Sequence, residues 1–497
     1  MKKILITIFL ILGIVSAFSF NGTLDYIYGY DFSKDASTNY QGLKTNIQLE
    51  KQIGYIYFKT SGDLVSLNIG RFPESFDYYL GNYKNSLDLF QNISEPYFLY
   101  NINEAFASVY MNYGTLKFGR FIPVSGSSTL YSPSVVLPAH DLVNPFEQNK
   151  TIAIDGINYS GFLGNFAYDL TFSPKTNDDI PSAILYPETI TTKVNEGVNQ
   201  KVNLQAEESK EELIATRDSL PDGNPIKIAL TGIISTLPAS YTLNDSVKTY
   251  QNNDNLNLIN SNYSAKLSTS IMNFDVKIGY SFDHYKFMVP KIINYEYDET
   301  GNATPIAEYY RPYRNVISVD YQGVSYFIDS ISYHGEASMI IPENESVEVN
   351  IKTHGYDENL TPTVESTSDS IQIFNKYYIK SVLGVEYSHG EDFTLGVEYF
   401  NGLPNEELKD NISMGGDIYL KSKLGSIAFE GAGIVAFSDI EDKWEPGYQT
   451  KAEISYKGID NFEPSIKINY AYAENDQHAL KTMEKLNTIS LNIKAYF

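Results

Sequence analysis

Cysteine is absent from the 497 residues, which excludes disulfides, thiol nucleophiles and cysteine-based zinc sites. Tryptophan occurs once. Cationic side chains are scarce, with 37 Lys and Arg against 61 Asp and Glu, and the resulting net charge of −24 argues against nucleic acid as a partner. Beyond the N-terminus no stretch approaches the roughly 20 consecutive apolar residues of a membrane helix. A mature chain that spans a membrane must therefore do so as a closed barrel, because only helices and closed barrels satisfy every backbone polar group in lipid. No pair of His lies at helical spacing and no EF-hand pattern occurs, so neither a metal nor a cofactor is expected.

What is present points toward export and a sheet. Met1, Lys2 and Lys3 precede an apolar run of about 12 residues from Ile4 to Val15, followed by small residues that allow cleavage after Ala17. Residues 1–17 therefore read as an export signal, with an uncleaved interfacial anchor as the alternative, and residues 18–497 read as a single outer-membrane barrel. Tyrosine dominates the aromatic residues, with 41 copies, as suits a protein with wet and dry zones side by side.

The clearest pattern has period 2. In the closing stretch Ile489, Leu491, Ile493, Ala495 and Phe497 share one face, and Thr488, Ser490, Asn492, Lys494 and Tyr496 share the other. The same alternation runs through Tyr377 to Tyr387, Phe393 to Tyr399, Ile412 to Leu420, Tyr448 to Tyr456 and Ile466 to Tyr472. Each stretch has about the ten residues a tilted strand needs to cross a bilayer. A final Phe497 resembles the assembly signal of bacterial outer-membrane barrels, which implies the barrel-assembly machinery and outer-membrane lipid as partners.

Connections alternate in length. Short links fall near Gly54, Tyr113, Ser160 to Leu163, Met272, Gly323, Gly390, Gly425 and Gly458 to Asn461, while residues 123–150, 174–257, 286–311, 341–375, 402–411, 438–446 and 474–485 form longer polar stretches. Short turns on one side and long loops on the other predict a transmembrane antiparallel up-and-down β-barrel, all-β, with periplasmic turns and extracellular loops. Both termini on one side require an even strand count. The segment Ile226 to Leu237, beside prolines and out of step with the alternation, is assigned to a loop, leaving about 18 strands within a range of about 16 to 20. The resulting 174–257 insertion loses period 2, and Val202, Ala206, Leu213 and Ile214 predict a short amphipathic helix ended by Pro221 and Gly223. Its role is open between a lid or plug and an exposed loop.

The stretch from Gly119 to Pro145 resembles outer-membrane barrels related to alginate-export and hydrocarbon-uptake channels. Gly119 and Arg120, then Gly126, then Asp141 with Asn144 and Pro145 match that group's pattern, whereas Ser125 stands where Trp is usual and Phe121 where Gln is usual. The resemblance implies a passive channel with residues 123–150 folded inward. Arg120, Asp141 and Glu147 are then the candidates for the pore constriction, opposite lumen-facing Lys451, Glu453, Lys467 and Lys494, and opposed charges there set up a field across the pore.

A hydrolase site is weighed against this. His140 beside Asp141, with Ser125, Ser127 and Ser128 upstream, is the one cluster of suitable residue types, but proximity in sequence is its only support, so no catalytic residue is assigned. The expected function is a multi-pass porin of the cell outer membrane for passive diffusion of small hydrophilic solutes, with cation preference. The alternative is a structural or adhesive envelope barrel with large acidic loops. Substrate and homo-oligomerisation are open.

Overall fold

In a computed structural model, residues 19–32, 38–67, 97–123, 126–128, 132–138, 151–174, 182–238, 240–243, 248–251, 261–286, 288–298, 301–325, 328, 330–343, 346–356, 362–373, 377–403, 406, 412–440, 443–475 and 478–497 are described. The expected export signal lies outside them.

Eighteen strands form one closed antiparallel sheet. In chain order they are Ser19–Asp31, Thr38–Ile53, Ile56–Leu67, Tyr97–Met111, Gly114–Phe121, Ile154–Leu163, Phe166–Ser173, Asn262–Ile271 and Phe274–His284. After these come Tyr313–Val324, Ile331–Pro342, Tyr378–His389, Phe393–Asn401, Met414–Leu424, Ile427–Ile440, Lys443–Tyr456, Phe462–Ala473 and Thr488–Tyr496. Each pairs with its sequence neighbour in the barrel. The first strand pairs with the last from Thr23↔Tyr496 to Asp31↔Thr488, which removes the sheet's free edges. Phe497 adds two backbone bonds to Gly22, at 2.9 and 3.0 Å, and its ring lies 5.7 Å from that of Phe20.

The alternation fixes which face meets lipid. Ile489, Leu491 and Ile493 are at least 40% exposed, while Thr488, Ser490 and Asn492 between them are buried against the interior. Leu383, Val385, Val397, Ile418, Ile454 and Ile466 lie on the same outer face. An apolar, aromatic-rich exterior around a polar interior makes this a multi-pass outer-membrane β-barrel.

Two-residue hairpins at Gly54–Tyr55, Asn112–Tyr113, Gly164–Asn165, Met272–Asn273 and Gly425–Ser426 define the short-turn end. Four of the five place a residue at positive φ, with Gly54, Gly164, Met272 and Gly425 at 58°, 62°, 59° and 61°, and the short link expected at 160–163 lies at Gly164–Asn165 instead. One expected long loop is absent: residues 438–440 and 443–446 belong to strands. There Ser438 and Ile440 are buried while Phe437 and Asp439 are exposed, so a stretch whose polar residues suggested a loop keeps the alternation of a strand.

The long-loop end carries a second structure. Val289–Glu296, Ile306–Tyr310, Ser346–Tyr356, Pro362–Gln372 and Lys248–Gln251 form a separate five-stranded sheet, with parallel pairings between the first and third and between the second and last of these. Helix α1, Ser182–Ser219, lies on it. Its Val194, Val198 and Val202, spaced one turn apart, join Ile293, Tyr295, Tyr297, Ala307, Val347 and Val349 in one buried core. The 174–257 insertion is thus tied to two other loops in a cap with its own hydrophobic centre. The helix is far longer than its amphipathic middle suggests, because the stripe that counts is the Val194, Val198, Val202 row. The segment from Ile226 is also helical: α2, Pro225–Thr236, starts with Pro225 in its first turn and the Asn224 side chain accepting the Ile226 amide at 2.9 Å. The proline that argued against a strand is a helix-start signal.

Candidate functional site in the barrel lumen

Polar-face residues of the strands become the lumen wall. On one arc stand Lys44, Lys59, Lys117, Lys266 and Lys277, several of them paired: Lys44 with Asp63 at 3.1 Å, Lys59 with Glu104 at 2.6 Å and Lys277 with Asp320 at 3.1 Å. Lys117 lies over the rings of Phe106 and Phe121, at 4.8 and 5.4 Å. On the facing arc the strands Ile331–Pro342, Tyr378–His389, Phe393–Asn401 and Met414–Leu424 present Glu336, Glu386, Glu398 and Asp417.

The segment after Gly114–Phe121 turns into the barrel instead of running over its rim. Residues 132–138 are buried, and one carboxylate holds them: Glu336 accepts the Ser128 amide at 2.7 Å, the Ser132 hydroxyl at 2.5 Å, the Ser134 amide at 3.1 Å and the Ser127 hydroxyl at 3.3 Å. Ser338 adds a bond to the Pro133 carbonyl at 2.7 Å. The Ser128 hydroxyl also reaches Glu398, which is bound by His334 Nε2 at 2.7 Å. Gly126 is required at this junction, because a Cβ there would lie 1.9 Å from Ser132 Oγ and 2.4 Å from Glu336 Oε1.

Apolar contacts complete the docking. Val136 packs with Val316, Ile340 and Tyr378 of the wall, and Leu137 with Phe121 and Ile154. Val135, Leu137 and Pro138 then roof a cavity of about 530 Å³, whose opposite wall includes Thr171, Lys266 and Lys277. The lumen is narrowed there, with an apolar ledge facing a cationic wall.

Loops also enter the lumen mouth elsewhere. Leu480 and Met483 pack with Val382, Phe400, Leu403, Ala436 and Ala471, all of them lumen-side or loop residues. In the loop after Phe393–Asn401, fully buried Glu406 accepts the amides of Leu403 at 2.6 Å and Ser413 at 2.9 Å. Burial pushes its carboxyl up to about 7, against the opposing pull of the Ser413 hydroxyl. The cap is joined to the rim by Asp283, which holds Lys286 at 2.7 Å and Arg314 at 3.0 Å, while Tyr285 and Tyr378 meet hydroxyl to hydroxyl at 3.3 Å.

Among the residues singled out from sequence, Glu453 and Lys467 pair across neighbouring strands at 3.2 Å, and Lys451 and Lys494 share their lumen-side alternation. Lys494 lies 5.1 Å from the Tyr496 ring. Arg120 follows Gly119, whose φ of 120° interrupts the regular strand, and pairs with Asp155 at 3.4 Å at the long-loop end of its strand. Asp141 and Glu147 lie outside the described residues, as do His140 and Ser125 of the weighed hydrolase cluster. Sequence reasoning passed over Glu336, Glu398, Asp417, Lys266 and Lys277. Their one available signal was a charge on the polar face of an alternating strand, shared with many other residues.

No protein-family model matches the chain, and no curated protein matches it. The resemblance to alginate-export and hydrocarbon-uptake channels therefore has no support from a family model. Among solved structures, OccAB3 of Acinetobacter baumannii aligns over 97% of this chain and 100% of its own, at 9% identity and a TM-score of 0.45. OccAB2 of the same species aligns over 97% and 98%, at 8% identity and a TM-score of 0.48. OccK2 (OpdF) of Pseudomonas aeruginosa, solved in complex with glucuronate, aligns over 97% and 98%, at 6% identity and a TM-score of 0.47. At such identities and scores the similarity describes barrel architecture and assigns neither substrate nor residue roles.

Proposed function

We propose that this protein is an outer-membrane channel for passive diffusion of small hydrophilic solutes, with a preference for cations. The observation that carries the reading is the lumen wall. Charged and hydroxyl side chains line it around the barrel, and Ser128, Ser132 and Ser134 are pinned inside the barrel by Glu336, where a channel needs its narrowest point. Lysines on one arc and carboxylates on the other create a field across the opening, which sorts solutes by charge and dipole. A net charge of −24, with Glu207, Glu208, Glu211 and Glu212 on α1, raises the local cation concentration at the long-loop mouth. In this reading Asp141 and Glu147 belong to the same inward segment and add acid to it, and the lipid bilayer and the barrel-assembly machinery are the protein's partners.

The cap favours a second reading, a structural or adhesive barrel, because it is a folded α/β unit with its own core. The two separate in a planar bilayer. Stepwise currents from the refolded mature chain, with a reversal potential of cation sign under a salt gradient, support the channel. Silence that persists after removal of residues 182–238 sinks it and leaves the adhesive barrel.

A further inference from the structure

Among the described residues two lumen-side carboxylates, Asp25 and Asp417, have a buried oxygen without a hydrogen-bond partner, and Asp25 has Lys494, Lys44 and Lys467 nearby as counter-charges. Asp417 is 7% exposed, and its Oδ1 has no hydrogen-bond partner. It lies directly across from Glu398 on the neighbouring strand, in register, so two acids stand side by side on the wall. Glu398 is served by His334 and Ser128, whereas the nearby cations are engaged elsewhere: Lys421 with Glu430 at 3.2 Å and Lys380 with the Leu403 carbonyl at 3.1 Å. A buried carboxylate with neither hydrogen bond nor counter-charge is unfavourable, and a cation from the lumen would relieve it.

The surroundings say which kind of cation. Ca²⁺ takes six to eight oxygen ligands and Zn²⁺ at least three protein side chains, and among the described residues no group of three acidic or histidine side chains converges. Toward the long-loop end the wall next to Asp417 turns apolar. Gly415 is flanked in register by Phe400 and Ala436, both in the cluster with Leu480 and Met483, and a Cβ at Gly415 would meet the Val435 carbonyl oxygen at 2.0 Å and the Phe400 ring at 2.7 Å. Toward the short-turn end stands the Tyr419 ring, held by its hydroxyl's bond to Glu386 at 2.6 Å. Carboxylates beside an apolar shelf and a fixed aromatic ring suit a group that is cationic at one end and aliphatic at the other.

We propose that Asp417 and Glu398 form a lumenal subsite for the ammonium group of a small aliphatic amine, whose alkyl chain lies along the Phe400 and Ala436 shelf. This deepens the channel reading and rests on it for the solute's access. The ammonium donates to Asp417 beside Glu398, on the wall opposite the lysine arc.

The test is calorimetric titration of the refolded full chain in detergent micelles with butylammonium chloride, beside single-channel recording of the same preparations. Wild type is expected to bind saturably, Asp417→Asn about tenfold more weakly, a change of about 1.4 kcal/mol, and Asp417→Glu close to wild type. Heat-modifiable gel migration checks that each variant forms the barrel. Binding that is absent in wild type, or unchanged in Asp417→Asn, overturns the subsite, and equal displacement by potassium overturns its assignment to amines. Binding without conductance removes the channel reading alone, and conductance without binding removes the subsite alone.

Discussion

Replacing Glu336 by Ala should release the inward segment. The carboxylate accepts four hydrogen bonds from residues 127–134, and the two shortest, 2.5 Å from the Ser132 hydroxyl and 2.7 Å from the Ser128 amide, have good donor–acceptor separations. A hydrogen bond to a charged acceptor contributes about 1.5–3 kcal/mol, so these two alone amount to about 3–6 kcal/mol. At 1.4 kcal/mol per factor of ten, the docking equilibrium shifts by about two to four decades. The apolar contacts of Val136 and Leu137 remain, so the barrel should still form while the segment spends far more time away from the wall. The absence of native cysteine gives a clean assay. A Val135→Cys reporter, placed at a site only 4% exposed, should react with a membrane-impermeant thiol reagent about a hundredfold faster when Glu336→Ala is added. Single-channel conductance should rise in parallel. Unchanged labelling together with unchanged conductance would refute the idea that Glu336 holds the constriction.

Position along the alternation should decide the tolerance of the closing strand: Leu491→Arg, facing lipid, costs about 2–4 kcal/mol near the bilayer midplane, whereas Asn492→Arg, facing the lumen, costs far less, and heat-modifiable gel migration after refolding distinguishes them. Val198→Asp places an unpaired charge in the cap core and should expose α1 to added protease while the barrel still forms; equal protease resistance of mutant and wild type contradicts the shared core. The contacts of Glu406 with Leu403 and Ser413 should weaken as pH rises from about 4.5 to about 7. Glu406 is held above its unfolded value by burial, so the folded state binds the extra proton in that window and loses roughly 3 kcal/mol of stability by its upper end. Protection of the Leu403 and Ser413 amides from hydrogen exchange measures this, and Glu406→Gln should flatten the dependence.

Much of the barrel was legible because lipid and water impose a period of 2 on each strand, and the alternation of short and long connections sets it apart from a soluble sandwich. Tyr377 to Tyr387 and Thr488 to Phe497 each show their lipid and lumen faces directly in the order of side chains. Tight turns were equally legible at Gly54 and Gly425, which supply a positive φ, whereas the turn expected at 160–163 lies at Gly164–Asn165 because 160–163 continues the strand. Errors arose where local composition and tertiary role disagree. Ser438, Asp439 and Glu445 are polar like loop residues, yet they continue a strand pair to Ile440 and Lys443. Pro225 signals a break to a strand and a beginning to a helix, and only the Asn224 cap and the packing of α2 choose between them.

By itself, the sequence determined the closed sheet, the even count of crossings, the two unlike faces and the two unlike ends, because each follows from periodicity and from the need to satisfy backbone groups in lipid. The tertiary structure decided what the faces and ends enclose. Glu336 and Ser132 are separated by 204 positions, as Asp283 and Arg314 are by 31, and no local pattern announces that either pair will meet. The cap core likewise joins side chains from three loops that are separate in sequence. Which charges stand together at the constriction, and which carboxylate lacks a counter-charge, depends on strand register around the whole barrel.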